Sequence, residues 1–160
     1  MPSLREEIKQ TRPFKSLYEE TLLNLVRTSE VLSARTEDAL KEHGITGTQY
    51  NVLRILRGAG PAGLACGAIG ERMLTRESDM TRLIDRMLAL KLVERTRHEG
   101  DRRVVVTTLT EKGRQLLTTL DPVVKEVQRR LLGHMDEASL KQLIGLLEQA
   151  RERAGLRTED

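Results

Sequence analysis

The sequence predicts a mainly α-helical protein that carries one small two-stranded β element. Three features of its 160 residues point there. Leu, Val, Ile and Met recur at i, i+3, i+4 and i+7 through several long stretches, the mark of helices with one buried face. β-Branched residues crowd together in two short runs, 92–97 and 103–109. Aromatics are limited to Phe14, Tyr18 and Tyr50, with no Trp, so the core must be aliphatic, as in packed helices. At 38% hydrophobic and 32% charged, the chain has the apolar content to fold, which argues against disorder. The length suits one domain, alone or with a dimerisation arm.

The elements follow in order. Residues 14–42 predict one long helix, with Tyr18, Leu22, Leu25, Val26, Leu32 and Leu40 at helical spacing and Gly44 as its stop. "ITGTQYNVLRIL" opens the second helix through a capping box, Thr46 as N-cap and Gln49 three residues on. "RGAGPAGLACG" is a turn followed by a short extended piece near Leu64, and a short third helix covers about 67–74, burying Ile69 and Met73. Thr75 is the expected cap of a fourth helix over 76–90, which buries Met80, Leu83, Ile84, Met87 and Leu88. "LVERTR" and "RVVVTTL" around "HEGD" predict a hairpin. Thr110 starts a long fifth helix with Pro122 as a kink point, and Asp136 caps a sixth. Both carry leucine-rich stripes, among them Leu117, Leu120, Val124, Leu143, Ile144 and Leu147. These stripes exceed what a small domain covers, so a partner chain is expected.

Composition narrows the function classes. Cys66 is the single cysteine, which rules out an intramolecular disulfide framework and fits a reducing cytoplasm. Arg5, Glu6, Glu7 and Lys9 interrupt any apolar leader, and the uncharged run 58–70 falls well short of the roughly 20 residues a membrane span needs. A cytoplasmic protein without a membrane partner is the expectation. His43, His98 and His134 are scattered without metal-ligand spacing, and no cofactor is expected. No nucleophile elbow, phosphate-binding loop or Cys/His pairing is present, so an enzyme is not expected.

The net charge is only +3, so an argument for nucleic acid must rest on where the arginines stand. The exposed face of the fourth helix carries Arg76, Ser78, Asp79, Thr81, Arg82, Asp85 and Arg86, and the hairpin tip carries Asp101, Arg102 and Arg103. Helix, turn, arginine-bearing amphipathic helix and hairpin make a winged helix-turn-helix. In that arrangement the second helix of the pair enters the major groove. Arginine forks match guanine O6 and N7, and Asp accepts from cytosine N4. Wing arginines, here Arg97, Arg102 and Arg103, suit phosphates or the minor groove. The same helix face alone also fits a solvated surface, since Arg82 and Asp85 stand at ion-pair spacing. The wing beside it favours DNA.

The order of these elements resembles the MarR family of bacterial transcription regulators over nearly the whole chain. "DRRVVVTTLTEKG" (101–113) matches the family's Asp-x-Arg, short strand, Leu-Thr and x-x-Gly pattern. "ITGTQYNVLRIL", "TRLIDRM" and "LVER" match its second helix, the end of its recognition helix and its first wing strand. The resemblance implies one domain over 1–160. Within it, 46–109 form the DNA-binding lobe, and 10–44 with 110–155 form a helical dimerisation region. It implies an obligate homodimer on double-stranded DNA, repression of nearby genes, and release by a small organic effector, often phenolic or anionic. It also implies that Arg103 enters the minor groove while Asp101 orients a wing arginine. The family commonly has Gly where Leu74 and Lys91 stand, and a non-Gly residue pays to adopt φ > 0 there.

Two other readings remain open in the sequence. Cys66, just before the third helix, fits either a redox switch or a small, partly buried side chain. A helical protein-interaction adaptor without DNA binding would share the fold, but has no need of arginine on both the helix face and the wing tip.

Overall fold

The computed structural model describes residues 2–97 and 104–152. The chain divides into two compact units, Met1–Val124 and Lys125–Asp160.

In the first unit, α1 (Leu4–Glu7) is a single turn closed by a capping box between Ser3 and Glu6. The signal "SLRE" was in the sequence, but its one turn is too short to register as periodicity. α2 (Leu17–Lys41) is the long helix expected over 14–42, starting at Ser16, whose hydroxyl accepts the Glu19 N–H. It ends where Gly44 takes φ 75°, with the Gly44 N–H donating to Lys41 O and the Ile45 N–H to Leu40 O. α3 (Gly47–Ala59) begins with the Thr46–Gln49 capping box read from the sequence. A 3-10 turn (Gly60–Ala62) leads to Leu64, which pairs with Thr107 as the short extended piece.

α4 is shorter than expected, Cys66–Gly70 rather than 67–74, and Met73 is only half-buried. Single turn-type bonds, Arg72 N–H to Ile69 O and Met73 N–H to Gly70 O, finish it. α5 (Met80–Ala89) starts four residues after the expected one, and Thr75 is not its cap. Asp79 is, with Oδ1 accepting the Arg82 N–H at 2.9 Å. Upstream, the Leu74 N–H donates to Asn51 Oδ1 at 2.9 Å, in the turn that precedes the helix.

β1 (Val93–Arg97) and β2 (Val105–Leu109) pair antiparallel, Val93 opposite Leu109 and Arg97 opposite Val105. α6 (Glu111–Leu132), of which residues 111–124 belong to this unit, continues through Pro122, which lacks the amide to bond back but does not end the helix. The unit's core gathers Leu40, Val52, Leu53, Leu56, Ile69, Leu83, Ile84, Met87, Leu92, Val93, Leu117 and Leu120, contributed by α2 to α6 and the hairpin base. That burial holds the helix pair and the base of the hairpin together as one body. Arg57 adds a two-pronged ion pair to Asp121 at 2.7 and 3.0 Å, linking α3 to α6.

In the second unit, α7 (Glu137–Arg151) is capped as expected by Asp136, whose Oδ1 accepts the Ser139 N–H at 2.7 Å. No residue of α7 is buried.

Candidate nucleic-acid interface

The interface is built outward from the end of α5. Leu90 closes that helix, and Lys91 then takes φ 57°, the left-handed region that costs a side chain energy. This conformation lets the Lys91 N–H reach Leu88 O and the Leu92 N–H reach Met87 O, the two bonds of a Schellman ending, with Leu92 and Met87 both buried. The chain turns back at once into β1. Lys91 thus does need the backbone that Gly would adopt cheaply. Leu74 does not, since it is absent from the positive-φ residues.

Thr110 locks this turn to α6. Its hydroxyl donates to Lys91 O at 2.7 Å and accepts the Gly113 N–H at 3.1 Å, while its own N–H donates to Leu92 O. Lys112 Nζ adds a bond to Leu90 O at 2.9 Å. Gly113 lets the helix lie against the turn: a Cβ there would sit 2.1 Å from Leu92 O. The motif "LTEKG" is therefore a clamp that fixes the end of α5 and the start of β1 to the same helix.

From that clamp α5 presents an exposed arc of Thr81, Arg82, Asp85 and Arg86, opposite the buried Leu83, Ile84 and Met87. At about 100° per residue, Thr81 and Asp85 share one flank, Arg82 stands between, and Arg86 lies on the other flank. Asp85 identifies the first flank as the one facing β1, because its carboxylate meets Arg95 at 2.8 Å. The local Arg82–Asp85 pairing that the spacing allowed is not the one formed. Among the described residues neither Arg82 nor Arg86 has a carboxylate partner.

The remaining candidates are distributed around this arc. Arg76 and Ser78 are exposed but lie in the non-helical approach to α5. Asp79 is the cap, with one carboxylate oxygen spent on the Arg82 N–H. Arg97 ends β1, exposed, on the same strand face as Arg95. Asp101, Arg102, Arg103 and His98 fall outside the described residues. Arg95 and Asp85 as a pair were missed in the sequence. Nothing in their ten-residue separation signals contact until the Schellman turn is known.

Two other features bear on function. Cys66 is half-buried at the first position of the five-residue α4. A cleft of about 360 Å³ is lined by Leu56, Pro61, Leu109, Arg57, Arg114 and Thr118. Both of its arginines are engaged, Arg57 by Asp121 and Arg114 by Glu111 and Leu109 O. Among the described residues there is no His, Cys, Asp and Glu cluster suited to a metal, and no helix long and apolar enough to cross a membrane.

Comparisons with known proteins bear on the family and the fold. The MarR family model matches residues 43–104. The chain is 32% identical over 110 residues to the uncharacterized HTH-type transcriptional regulator YkoM of Bacillus subtilis, covering 69% of this chain and 70% of that one. It is 39% identical to a MarR transcription factor from Planctomyces limnophilus, whose crystal structure superposes with a TM-score of 0.65 over 86% of this chain and 99% of that one. The fold also matches a cysteine-to-serine mutant of MarR from E. coli complexed with operator DNA, at a TM-score of 0.72 and 21% identity over 93% and 99% of the two chains.

Proposed function

The chain belongs to the MarR family of transcription regulators, and from that premise we propose that it works as a homodimer on double-stranded DNA, as a repressor of a pseudo-palindromic operator. α5 lies in the major groove, with Arg82 and Arg86 on base edges or phosphates and Thr81 beside them. Arg76 and Ser78 meet the backbone at the groove margin, and Asp79 serves as the cap that places Arg82. Arg97, Arg102 and Arg103 extend along the wing toward the neighbouring minor groove, with Asp101 orienting the tip.

The observation that carries this reading is the exposed arc of α5. Two arginines without a carboxylate partner among the described residues stand on a helix whose position is fixed by a cap, a Schellman turn and the Thr110 clamp.

Residues 46–109 read DNA, and 10–44 with 110–155 hold two copies together. α2 leaves Leu17, Tyr18, Leu22 and Val26 exposed, Tyr18 at 88%, and α7 leaves Leu143, Ile144 and Leu146 exposed. Apolar surface on that scale is what a second copy covers. The effector is a small organic molecule, phenolic or anionic, that releases DNA. Half-burial of Cys66 in a helix too short for much dipole fits a packing residue rather than the switch. The site of action is the cytoplasm, where the operator is.

Selection from a random duplex library, followed by sequencing, tests the reading. Two inverted half-sites about 10 base pairs apart, centre to centre, are expected. An enriched pool with no shared sequence overturns it.

A further inference from the structure

α5 and β1 travel outward side by side from the Lys91 turn, so a contact between them sets the gap between recognition helix and wing. Arg95 Nη2 lies 2.8 Å from Asp85 Oδ1, and among the described residues this is the ion pair that joins the two elements. It falls at a telling level of the hairpin. Arg95 faces Thr107 across the ladder, and Thr107 is buried and exchanges both backbone bonds with Leu64, at 2.8 and 3.0 Å. That row is three chain segments wide, β1, β2 and the isolated bridge at Leu64. Beyond it, toward the tip, Thr96 and Arg97 are exposed and pair with β2, with no third segment bonded to that row among the described residues. The direction in which the wing leaves α5 is therefore decided at Arg95.

A carboxylate is costly on a surface that meets phosphates. Asp85 is half-exposed, it shares the face of α5 with Arg82, and it cancels one of the cations nearest to it. On a surface selected only for attraction to DNA, neutral Asn would serve better.

We propose that Asp85 is a positioning residue for DNA recognition: through Arg95 it fixes the angle between wing and recognition helix, and trades affinity for random DNA against discrimination. This rests on the DNA-binding reading above. Without the carboxylate, Arg95 turns to the nearest phosphate, so binding to any duplex tightens and depends more steeply on salt. The wing is then no longer held in register with α5, and the preferred sequence loses its advantage.

The test compares the parent, Asp85→Asn, and the reciprocal exchange of Asp85→Arg with Arg95→Asp. Each is titrated against the duplex enriched by the parent from a random library and against a scrambled duplex. For Asp85→Asn, affinity for the scrambled duplex is expected to rise while the ratio between the two falls about tenfold, the scale of a single base-specific interaction. The exchange, with net charge unchanged, restores the ratio to near the parent value. Neither a missing phosphate interaction nor a generally weakened fold predicts that rescue. A parent that discriminates, with a ratio surviving Asp85→Asn, overturns this inference and leaves the DNA-binding reading standing. An exchange as indiscriminate as the single variant also overturns it. A parent that fails to discriminate overturns both readings.

Discussion

Gly113→Ala sets two physical effects against each other, and the close approach to Leu92 decides the sign. On an open helix Ala gains up to ~1 kcal/mol over Gly. Here the added Cβ falls 2.1 Å from Leu92 O and 3.3 Å from Leu109 Cδ2. An ordinary C···O approach is about 3.3 Å, so helix and turn must part by roughly 1 Å. Overpacking of that kind costs about 1–3 kcal/mol. Parting also stretches the Thr110 N–H bond to Leu92 O and the Thr110 hydroxyl bond to Lys91 O, each worth ~1 kcal/mol. The net expectation is a loss of about 2–4 kcal/mol, far outside the propensity gain. Urea unfolding followed by circular dichroism, at one fixed protein concentration so that dimer linkage does not enter, measures it. Because Lys91 and Leu92 form the turn that joins α5 to β1, affinity for DNA should fall with stability. A midpoint unchanged or raised by Gly113→Ala would refute the clamp.

Three further outcomes follow from particular residues. Lys91→Gly should raise stability by up to ~1 kcal/mol, since φ 57° costs a side chain and the Schellman bonds use only backbone; a lowered midpoint contradicts this. The hydrogen bond from Arg57 holds the Asp121 carboxyl below its ordinary 3.8, so the pair's contribution is present above that pH and is lost as pH falls through the lower folded value. With both side chains nearly half-exposed, Arg57→Ala should cost only ~0.5 kcal/mol at neutral pH and nothing once Asp121 is protonated; a cost independent of pH contradicts it. Replacing Leu143 and Leu147 by Glu should turn a sedimenting dimer into a less stable monomer, whereas a parent that sediments as a monomer at micromolar concentration contradicts the proposed assembly.

The fold was legible where local chemistry decides it. Thr46 with Gln49, Asp136, the hairpin strands and the long helices all follow from spacing and caps within a few residues. The start of α5 was not, because Thr75 and Asp79 are both plausible caps. Only the folded chain shows that Asp79 is the one used, with the Leu74 amide, in the turn before it, held by Asn51 from 23 residues upstream. The candidate site divides in the same way. Arg82, Arg86 and Thr81 stand where helical spacing puts them. Asp79 reads as part of a polar face in sequence and is a cap in space. The Asp85–Arg95 pair depends on a left-handed residue between them that only the folded turn reveals. Gly113 was visible as a motif position, but its reason, a carbonyl across the turn, belongs to tertiary structure.

The most direct measurement of the central claim is affinity against salt concentration, on the enriched and scrambled duplexes, for the parent, Arg82→Ala and Arg103→Ala. Arg82→Ala should lose about 1–3 kcal/mol on the enriched duplex and much less on the scrambled one, since a base contact carries discrimination. Arg103→Ala should weaken both duplexes by a similar factor. It should also make the salt dependence shallower by about two units per dimer, because each subunit then neutralises one phosphate fewer. Unchanged affinity and slope in both variants would contradict the claim, placing the face of α5 and the wing tip in solvent rather than on DNA.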